Sequence, residues 1–457
     1  MSTKRIILKR VVDIAVIILI FSFSYACLAK LSILKKSLGT KEMINFYAQP
    51  GGSVDVVFLG SSYAGMDIDE ATLWDEYGIA SYCPWGPEQA FWMSYYTLLE
   101  VLKYQNPKAI VLECGSVYHS EEYLDLEKQG LNISGMRLSL NKIQAVMHNS
   151  PIEFWDDMLL VLPLFHDRLL ELGQSDYDYL FGNRDINNKG FFNLGMMSNG
   201  GAEDFHTRNC KDIQPISEKS ENYLRKIIEE CNNRGVSIIL IQNPYPSTDR
   251  DPKFNYVAGI AKEYDIPYIN YNSPENDLGL SAADFYDDSH MNKAGGRILT
   301  KAIGREIVSH VQLEDHRDDP QYESWDFFSS MCKAECLKSI PYYDEYRDEI
   351  KKDGFFTAVI DYQPDHAEFF IKDYSDEKDI LLVGNDNRNH TYEYNGHVFT
   401  ADFQDPKKIW VRYDGESLMD INTYGEIVVV YDKHMDSIVD VIMIRKDLYG
   451  KYEIYRQ

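Results

Sequence analysis

The chain has 457 residues, a formal net charge of −26 and an aromatic content of 13%. At roughly 150 residues per domain, this length predicts two or three domains with room for a fully buried sheet. The acidic excess argues against a nucleic-acid partner, because a surface that repels phosphates gains nothing from counterion release. The 33 tyrosines suit flat amphipathic ligands such as sugar rings, and they suit the margin of a large core equally well.

The first element is an apolar stretch with basic residues on both sides. Basic residues crowd positions 4–10, and apolar character then runs from Val11 to Ala29. This length just spans a bilayer if Asp13 and Lys30 lie at the two interfaces. We therefore predict a single-pass cell-membrane anchor with its N-terminus inside and the rest of the chain extracytoplasmic. A cleavable signal peptide, with Ser24-Tyr25-Ala26 as its cleavage site, stays open as the alternative.

An alternation of strands and helices follows the anchor and the basic linker, which together occupy residues 1–44. Continuous apolar runs are typical of strands buried on both faces of a parallel sheet. The runs lie at 54–59, 79–83, 108–114, 236–242 and 267–270. A helix is predicted over 69–77, with Asp69 as its N-cap. We expect an α/β domain over 45–312 with an insertion at about 120–215 that forms a wall or lid of the site.

The composition changes again near residue 312. A charged run closed by Pro320 predicts a linker, and a helix near 324–339 completes a connecting segment over 313–340. Period-two alternation over 341–457 predicts a small antiparallel β accessory domain, and Asn395-Gly396 between aromatic arms indicates a hairpin. Glycan binding and a purely structural role are both open for this domain.

The seven cysteines are too few for a disulfide framework in a chain of this length. Cys332 and Cys336 are four residues apart, but no second pair of cysteine or histidine residues has matching spacing. The sequence therefore predicts no metal site.

A serine, a carboxylate and an imidazole stand at positions suited to acyl transfer. Ser62 follows Gly60 and Ser61 on the turn that leaves the first strand, at the sheet edge where open α/β folds bind ligands. Asp287 and His290 share one short loop before the last helix of the domain. A serine hydroxyl needs an imidazole to take its proton and a carboxylate to orient that imidazole. The pattern predicts a serine esterase or acyltransferase.

Two sequence blocks resemble the SGNH (GDSL-like) hydrolase superfamily, and more closely its membrane-anchored branch associated with acylation of cell-surface polysaccharides. The blocks are Phe58-Leu59-Gly60-Ser61-Ser62 and the nine residues 287–295. The resemblance covers about residues 50 to 310. It implies a flavodoxin-like three-layer α/β/α domain with a parallel sheet, acting without a cofactor.

The same resemblance implies a role for each site residue. Ser62 would be the nucleophile, His290 the base and Asp287 the orienting acid. The backbone N–H groups of Ser62 and Gly86 would form the oxyanion hole, which binds the charge that develops in the transition state. Asp288 is the rival to Asp287 for the acid.

The chain departs from the family where an asparagine usually supplies a third oxyanion donor. Residues 115–118 read Gly-Ser-Val-Tyr instead, so the third donor stays open, with Ser116 and Asn243 as candidates. An α/β-hydrolase is excluded, because Ala64 occupies the final glycine position of the Gly-x-Ser-x-Gly elbow and the serine follows the first strand.

Two functions follow as expectations. The first is an esterase or O-acyltransferase, with acetyl as the expected group, acting on a cell-surface polysaccharide or exopolysaccharide. The second is a weakly active or inactive glycan-binding component of an assembly complex. Either protein would work beside the membrane proteins of polysaccharide assembly.

Overall fold

The computed structural model describes residues 3–33, 38–173, 188–192 and 205–333, and beyond these the β-strands and turns within 356–363, 366–373, 378–384, 390–405, 408–421, 425–432, 437–446 and 452–456. Five parallel strands form one sheet in the order β2-β1-β3-β4-β5. They are β1 (Val56–Leu59), β2 (Ser81–Tyr82), β3 (Ala109–Glu113), β4 (Ser237–Gln242) and β5 (Tyr268–Asn270). The predicted parallel sheet is confirmed, with each strand one or two residues shorter at one or both ends.

Helices cover both faces of this sheet because alternate strand residues enter two different apolar clusters. Val57 and Leu59 pack in a cluster with the helices Phe91–Tyr104, Glu218–Arg234 and Asp251–Glu263. Val56 and Phe58 pack in a second cluster with the helix Lys293–His310. All four strand residues are buried, as their continuous apolar sequence predicts.

Shorter helices connect these layers. Three of them flank the first two strands: Thr40–Phe46, Ser62–Asp67 and Glu70–Tyr77. Asp69 accepts the backbone N–H groups of Ala71 and Thr72, which confirms the predicted N-cap. The insertion contributes Leu126–Ile133, Leu140–Asn149, Trp155–Leu160 and Leu162–Phe165.

The N-terminal segment is one helix, Thr3–Ile33, of which Lys9–Ile33 is long and apolar enough to cross a membrane. Most of its described apolar side chains are exposed. Its C-terminal part contacts the insertion, where the Tyr25 hydroxyl donates to the carbonyl of Leu160 at 3.2 Å. Ile33 packs against the buried Val161 and Phe165.

The segment after residue 312 packs against the α/β unit. His316 Nε2 lies 2.6 Å from Asp55 Oδ2 and its ring stacks on Tyr322. A helix spans Glu323–Lys333, and the indole of its buried Trp325 donates to the carbonyl of Ser81 at 3.1 Å. The rest of the predicted helix and Cys336 lie outside the described residues.

The C-terminal part forms two antiparallel sheets. The four-stranded sheet has the order β12-β11-β10-β9 and the six-stranded sheet has the order β15-β14-β13-β6-β7-β8. The strands are β6 (Phe356–Gln363), β7 (His366–Asp373), β8 (Lys378–Gly384), β9 (His390–Tyr394), β10 (His397–Asp405), β11 (Lys408–Tyr413), β12 (Glu416–Ile421), β13 (Gly425–Asp432), β14 (Ser437–Lys446) and β15 (Tyr452–Arg456).

Aromatic side chains join the two C-terminal sheets. The ring of Tyr431 in β13 lies 5.5 Å from that of Phe399 and 6.0 Å from that of Tyr394, both in the other sheet. Tyr431 and Phe399 are buried, so these rings belong to a core. The hairpin at Asn395-Gly396 is confirmed by φ values of 48° and 86°.

Candidate active site

Ser62 lies at the carboxyl edge of the parallel sheet, on the first turn of the helix Ser62–Asp67. Ser61 caps this helix, since its hydroxyl accepts the backbone N–H of Tyr63 at 3.4 Å. A Cβ on Gly60 would lie 3.0 Å from the Cβ atoms of both Ala64 and Glu113. Glycine therefore permits the close approach of the turn to β3 that holds the serine at this edge. The Ser62 side chain is half-buried.

Asp287 and His290 share a loop that folds back on itself. Phe285 and Met291 form an isolated antiparallel bridge, and the backbone N–H of Tyr286 donates to the carbonyl of His290 at 2.8 Å. Asp287 Oδ1 accepts the backbone N–H groups of Ser289 and His290 at 2.8 and 2.7 Å. These two hydrogen bonds from its own loop hold the Asp287 carboxylate in position beside the imidazole.

The fold brings the three predicted side chains together. His290 Nε2 lies 2.8 Å from Ser62 Oγ, and His290 Nδ1 lies 3.1 and 3.2 Å from the two carboxylate oxygens of Asp287. An ionised carboxylate can only accept, so Nδ1 carries the proton and Nε2 is left to accept from the serine hydroxyl. This is the arrangement that general-base activation of a serine requires.

Asp288 does not take part in this contact. Its side chain is exposed and accepts the hydroxyl of Ser289 at 2.9 Å. Asn292 caps the following helix by accepting the backbone N–H of Gly295 at 3.1 Å. Of the two adjacent acids, Asp287 is the one that contacts the imidazole.

The pKa values of the pair shift in opposite directions. Burial alone would lower the pKa of His290, but the hydrogen bond to Asp287 and the nearby carboxylates of Asp67 and Asp287 raise it overall. Burial alone would raise the pKa of Asp287, but its hydrogen bonds with the imidazole and two backbone N–H groups lower it overall. The acid therefore stays ionised, and it stabilises the imidazolium that forms when His290 takes a proton.

The two predicted oxyanion donors are unoccupied by protein acceptors. Within the described part of the chain, neither the backbone N–H of Ser62 nor that of Gly86 has an acceptor. A Cβ on Gly86 would lie 2.2 Å from Asn132 Oδ1, so any larger residue there would displace the Asn132 side chain. Asn132 in turn donates to the carbonyl of Pro87 at 2.9 Å and holds the turn in place.

Asn243 does not supply the third donor. Its side-chain amide donates to the carbonyl of Tyr63 at 2.8 Å and to Asp67 Oδ2 at 3.3 Å, and the side chain is buried. Ser116 has a buried hydroxyl without a partner in the described residues. Of the two candidates, only Ser116 retains an uncommitted donor.

Two buried acids that were not predicted from the sequence lie beneath the site. Asp67 Oδ1 accepts the backbone N–H of Met291 at 2.9 Å, which ties the serine helix to the histidine loop. Glu113 Oε1 accepts the backbone N–H of Gly115 at 2.7 Å. Burial raises the pKa of Asp67 to about 7 and that of Glu113 to about 8. One sequence signal was available for Glu113: it is an acidic residue at the carboxyl end of a buried apolar strand, the edge at which open parallel sheets bind ligands.

One stretch of the insertion, residues 188–192, borders the site. The backbone N–H of Phe192 donates to the carbonyl of Gly65 on the serine helix at 2.7 Å. The Trp85 indole, beside Gly86, donates to the carbonyl of Gly190 at 2.7 Å. These contacts place residues of the insertion along one side of the turn that carries Ser62.

The geometry suits acyl transfer through a covalent serine intermediate: an activated hydroxyl, an oriented base and two backbone N–H groups without acceptors. No family model matches this chain, and no curated protein shows significant sequence similarity to it.

Proposed function

We propose that this chain is a membrane-anchored, extracytoplasmic serine esterase or O-acyltransferase of the SGNH type, acting on a cell-surface polysaccharide or exopolysaccharide. The observation that carries the proposal is the 2.8 Å contact between Ser62 Oγ and His290 Nε2, with Asp287 on the other ring nitrogen. The strand order β2-β1-β3-β4-β5 is also the flavodoxin-like order that the superfamily resemblance implies.

The reaction would run in two halves. Ser62 Oγ attacks the carbonyl carbon of an ester, and His290 Nε2 takes the hydroxyl proton. The bond to the leaving alcohol then breaks, the proton on His290 passes to that alcohol, and the acyl group remains on Ser62. In the second half, water or a glycan hydroxyl gives its proton to His290 and attacks the acyl carbon. The bond from that carbon to Ser62 Oγ then breaks, and the proton on His290 passes to Oγ, which regenerates the serine and the neutral imidazole.

The proposed membrane location rests on the N-terminal helix and on the surface beside it. Large apolar side chains are exposed at Leu138, Leu140, Ile152 and Leu170, all in the insertion that contacts this helix. Of these, Leu170 lies in the segment His166–Glu171, which contacts the helix, and an exposed apolar group beside a candidate membrane span suits contact with lipid. Extraction of the full chain from membranes by detergent but not by alkaline carbonate would support an integral anchor, whereas release by carbonate would contradict it.

A second candidate function is a catalytically weak glycan-binding component. The observation that favours it is the commitment of the Asn243 amide to Tyr63 and Asp67, which leaves two backbone donors and no asparagine donor for the oxyanion. Loss of one such donor costs on the order of 10²-fold in turnover in serine hydrolases.

The test compares the wild type with Ser62→Ala for hydrolysis of p-nitrophenyl acetate and for labelling by a fluorophosphonate. We expect Ser62→Ala to abolish both, and we expect Ser309→Ala, an exposed serine on the helix Lys293–His310, to leave both intact. Labelling that persists at another serine removes Ser62 from the proposed role. A wild type that neither hydrolyses nor labels favours the binding function.

A further inference from the structure

A single arginine lies beside the proposed nucleophile, enclosed by three tyrosine rings. The guanidinium carbon of Arg250 lies 4.0 Å from the ring centre of Tyr245, 4.2 Å from that of Tyr118 and 5.5 Å from that of Tyr63. These tyrosines follow β4, β3 and β1, so the cluster stands at the same carboxyl edge of the sheet as Ser62.

Direct contacts connect this arginine to the reacting groups. Arg250 Nη1 donates to the hydroxyl of Tyr63 at 3.1 Å, and the ring of Tyr63 stacks on the imidazole of His290 with centres 5.4 Å apart. His290 contacts Ser62. The positive charge is therefore separated from the His290 and Ser62 pair by one aromatic ring.

The charge of Arg250 interacts with the buried carboxyl of Glu113, but the two side chains form no ion pair. Among the described residues Arg250 forms no ion pair, although the chain has 72 acidic residues and only 46 basic ones. Its Nη1 also donates to the carbonyl of Gly115 at 3.3 Å, but its Nε is buried without an acceptor and its Nη2 has none in this part of the structure. A half-buried cation and an unpaired buried donor are both unfavourable unless a ligand completes them.

Arg208, which binds the same loop, is paired with a carboxylate and serves as a comparison for Arg250. Its Nε and Nη2 grip the two oxygens of Asp251 at 2.6 and 3.0 Å, and it also donates to the carbonyls of Tyr245 and Ser247. Arg208 thus has the role of a loop clamp. Among the described residues, no carboxylate binds the corresponding Nε and Nη2 edge of Arg250.

We propose that Arg250, framed by Tyr63, Tyr118 and Tyr245, is a subsite for an anionic group, a carboxylate or a phosphate, on the ester or glycan that this active site accepts. The guanidinium fork fits the paired oxygens of either group, and the tyrosine rings around it restrict where the guanidinium can move. The inference rests on the proposed function and adds the substrate class: a charged rather than a neutral glycan or ester.

The kinetic test uses two aryl acetates, 4-acetoxybenzoate and its methyl ester, and divides each enzymatic rate by the rate of uncatalysed hydrolysis, because the two leaving phenols differ in reactivity as well as in charge. We expect the wild type to prefer the carboxylate in kcat/KM by at least about tenfold, the factor that one charge-assisted hydrogen bond supplies. Arg250→Gln should bring this ratio close to one, and Arg250→Lys should keep part of it because lysine keeps the charge and loses the fork. The ratio is the readout, since the bond from Arg250 to Tyr63 also positions the site.

Arg137→Gln is the matched control, because Arg137 also stacks on a tyrosine, with its guanidinium carbon 4.2 Å from the ring centre of Tyr47. This control should keep the wild-type preference. A wild type that hydrolyses both esters equally, or an Arg250→Gln protein that keeps the preference, overturns the anionic subsite and leaves the esterase proposal standing.

A binding test separates the inference from catalysis. Full-length Ser62→Ala protein is titrated with glucuronate, glucose 6-phosphate and glucose, with ligand-observed NMR as the readout. We expect one or both anions to bind, glucose to bind more weakly, and Arg250→Gln in the same background to abolish the difference. The anion that binds identifies carboxylate or phosphate as the preferred group.

Equal binding of glucose, or no binding of either anion, overturns the subsite. If Ser62→Ala leaves hydrolysis of both esters unchanged, the proposed function fails, and the titration alone then decides on Arg250.

Discussion

At the residue scale, the site depends on the placement of one carboxylate. Asp287 and Asp288 are adjacent in sequence, but only Asp287 accepts the backbone N–H of His290 and lies within hydrogen-bond distance of its imidazole. The geometry of the loop selects the acid, because the carboxylate that binds its own loop backbone is already oriented toward the ring.

Asp287→Asn should therefore lower kcat for p-nitrophenyl acetate by a factor on the order of 10³ to 10⁴, since the amide no longer fixes the tautomer that serves Ser62. Asp288→Asn is the control and should stay within a few-fold of wild type, because Asp288 is exposed and bonds the hydroxyl of Ser289. Equal losses in the two variants would contradict the assignment of Asp287.

At the element scale, close packing positions the helix that carries the serine. A Cβ on Gly65 would lie 2.0 Å from Nε1 of the buried Trp85, whose indole donates to the carbonyl of Gly190. The glycine lets the serine helix approach the loop that holds Gly86. The helix and the loop after β2 are thus fixed relative to each other by this one contact surface.

Gly65→Ala should destabilise the protein by about 1–3 kcal/mol, the usual cost of overpacking a filled core, and should lower esterase activity as the serine helix moves. Gly259→Ala is the matched control in another helix, where an added Cβ meets nothing within 4 Å. That change should be neutral or stabilising by about 0.5–1 kcal/mol. Chemical denaturation measures both, and a harmless Gly65→Ala would refute the packing argument.

At the scale of the whole molecule, stability should depend on pH through the buried acids. Burial and the negative charge of Asp67 raise the pKa of Glu113 to about 8, although the backbone N–H of Gly115 acts the other way. The folded protein keeps this proton where the unfolded chain, with an ordinary pKa near 4.5, has lost it. The free energy of unfolding therefore falls as pH rises from about 4.5 to about 8.

Glu113→Gln keeps an acceptor for Gly115 and removes this titration. We expect its free energy of unfolding, relative to wild type, to be higher at pH 9 than at pH 5 by roughly 4 kcal/mol. Urea titrations at the two pH values test this sign, and a pH-independent difference for Glu113→Gln would contradict the buried-acid account.

The sequence by itself determined the elements and their order. Continuous apolar runs predicted all five parallel strands, and Asn395-Gly396 predicted its hairpin, because burial pattern and turn chemistry are local properties. The pair Asp414-Gly415 carries the same turn signal, with φ values of 50° and 83°, and would have predicted β12 as well.

Only the tertiary structure decided which side chains meet. Ser62 and His290 are 228 residues apart, and their contact depends on how β1 and the helix Lys293–His310 pack on one sheet. The sequence did not predict a role for Asp67, Glu113 or Arg250 for the same reason. Their burial, the lack of an ion-pair partner for Arg250 among the described residues, and their position at one sheet edge arise only when distant segments pack together. A local sequence pattern specifies a helix or a strand, whereas an active site depends on how distant helices and strands pack against each other.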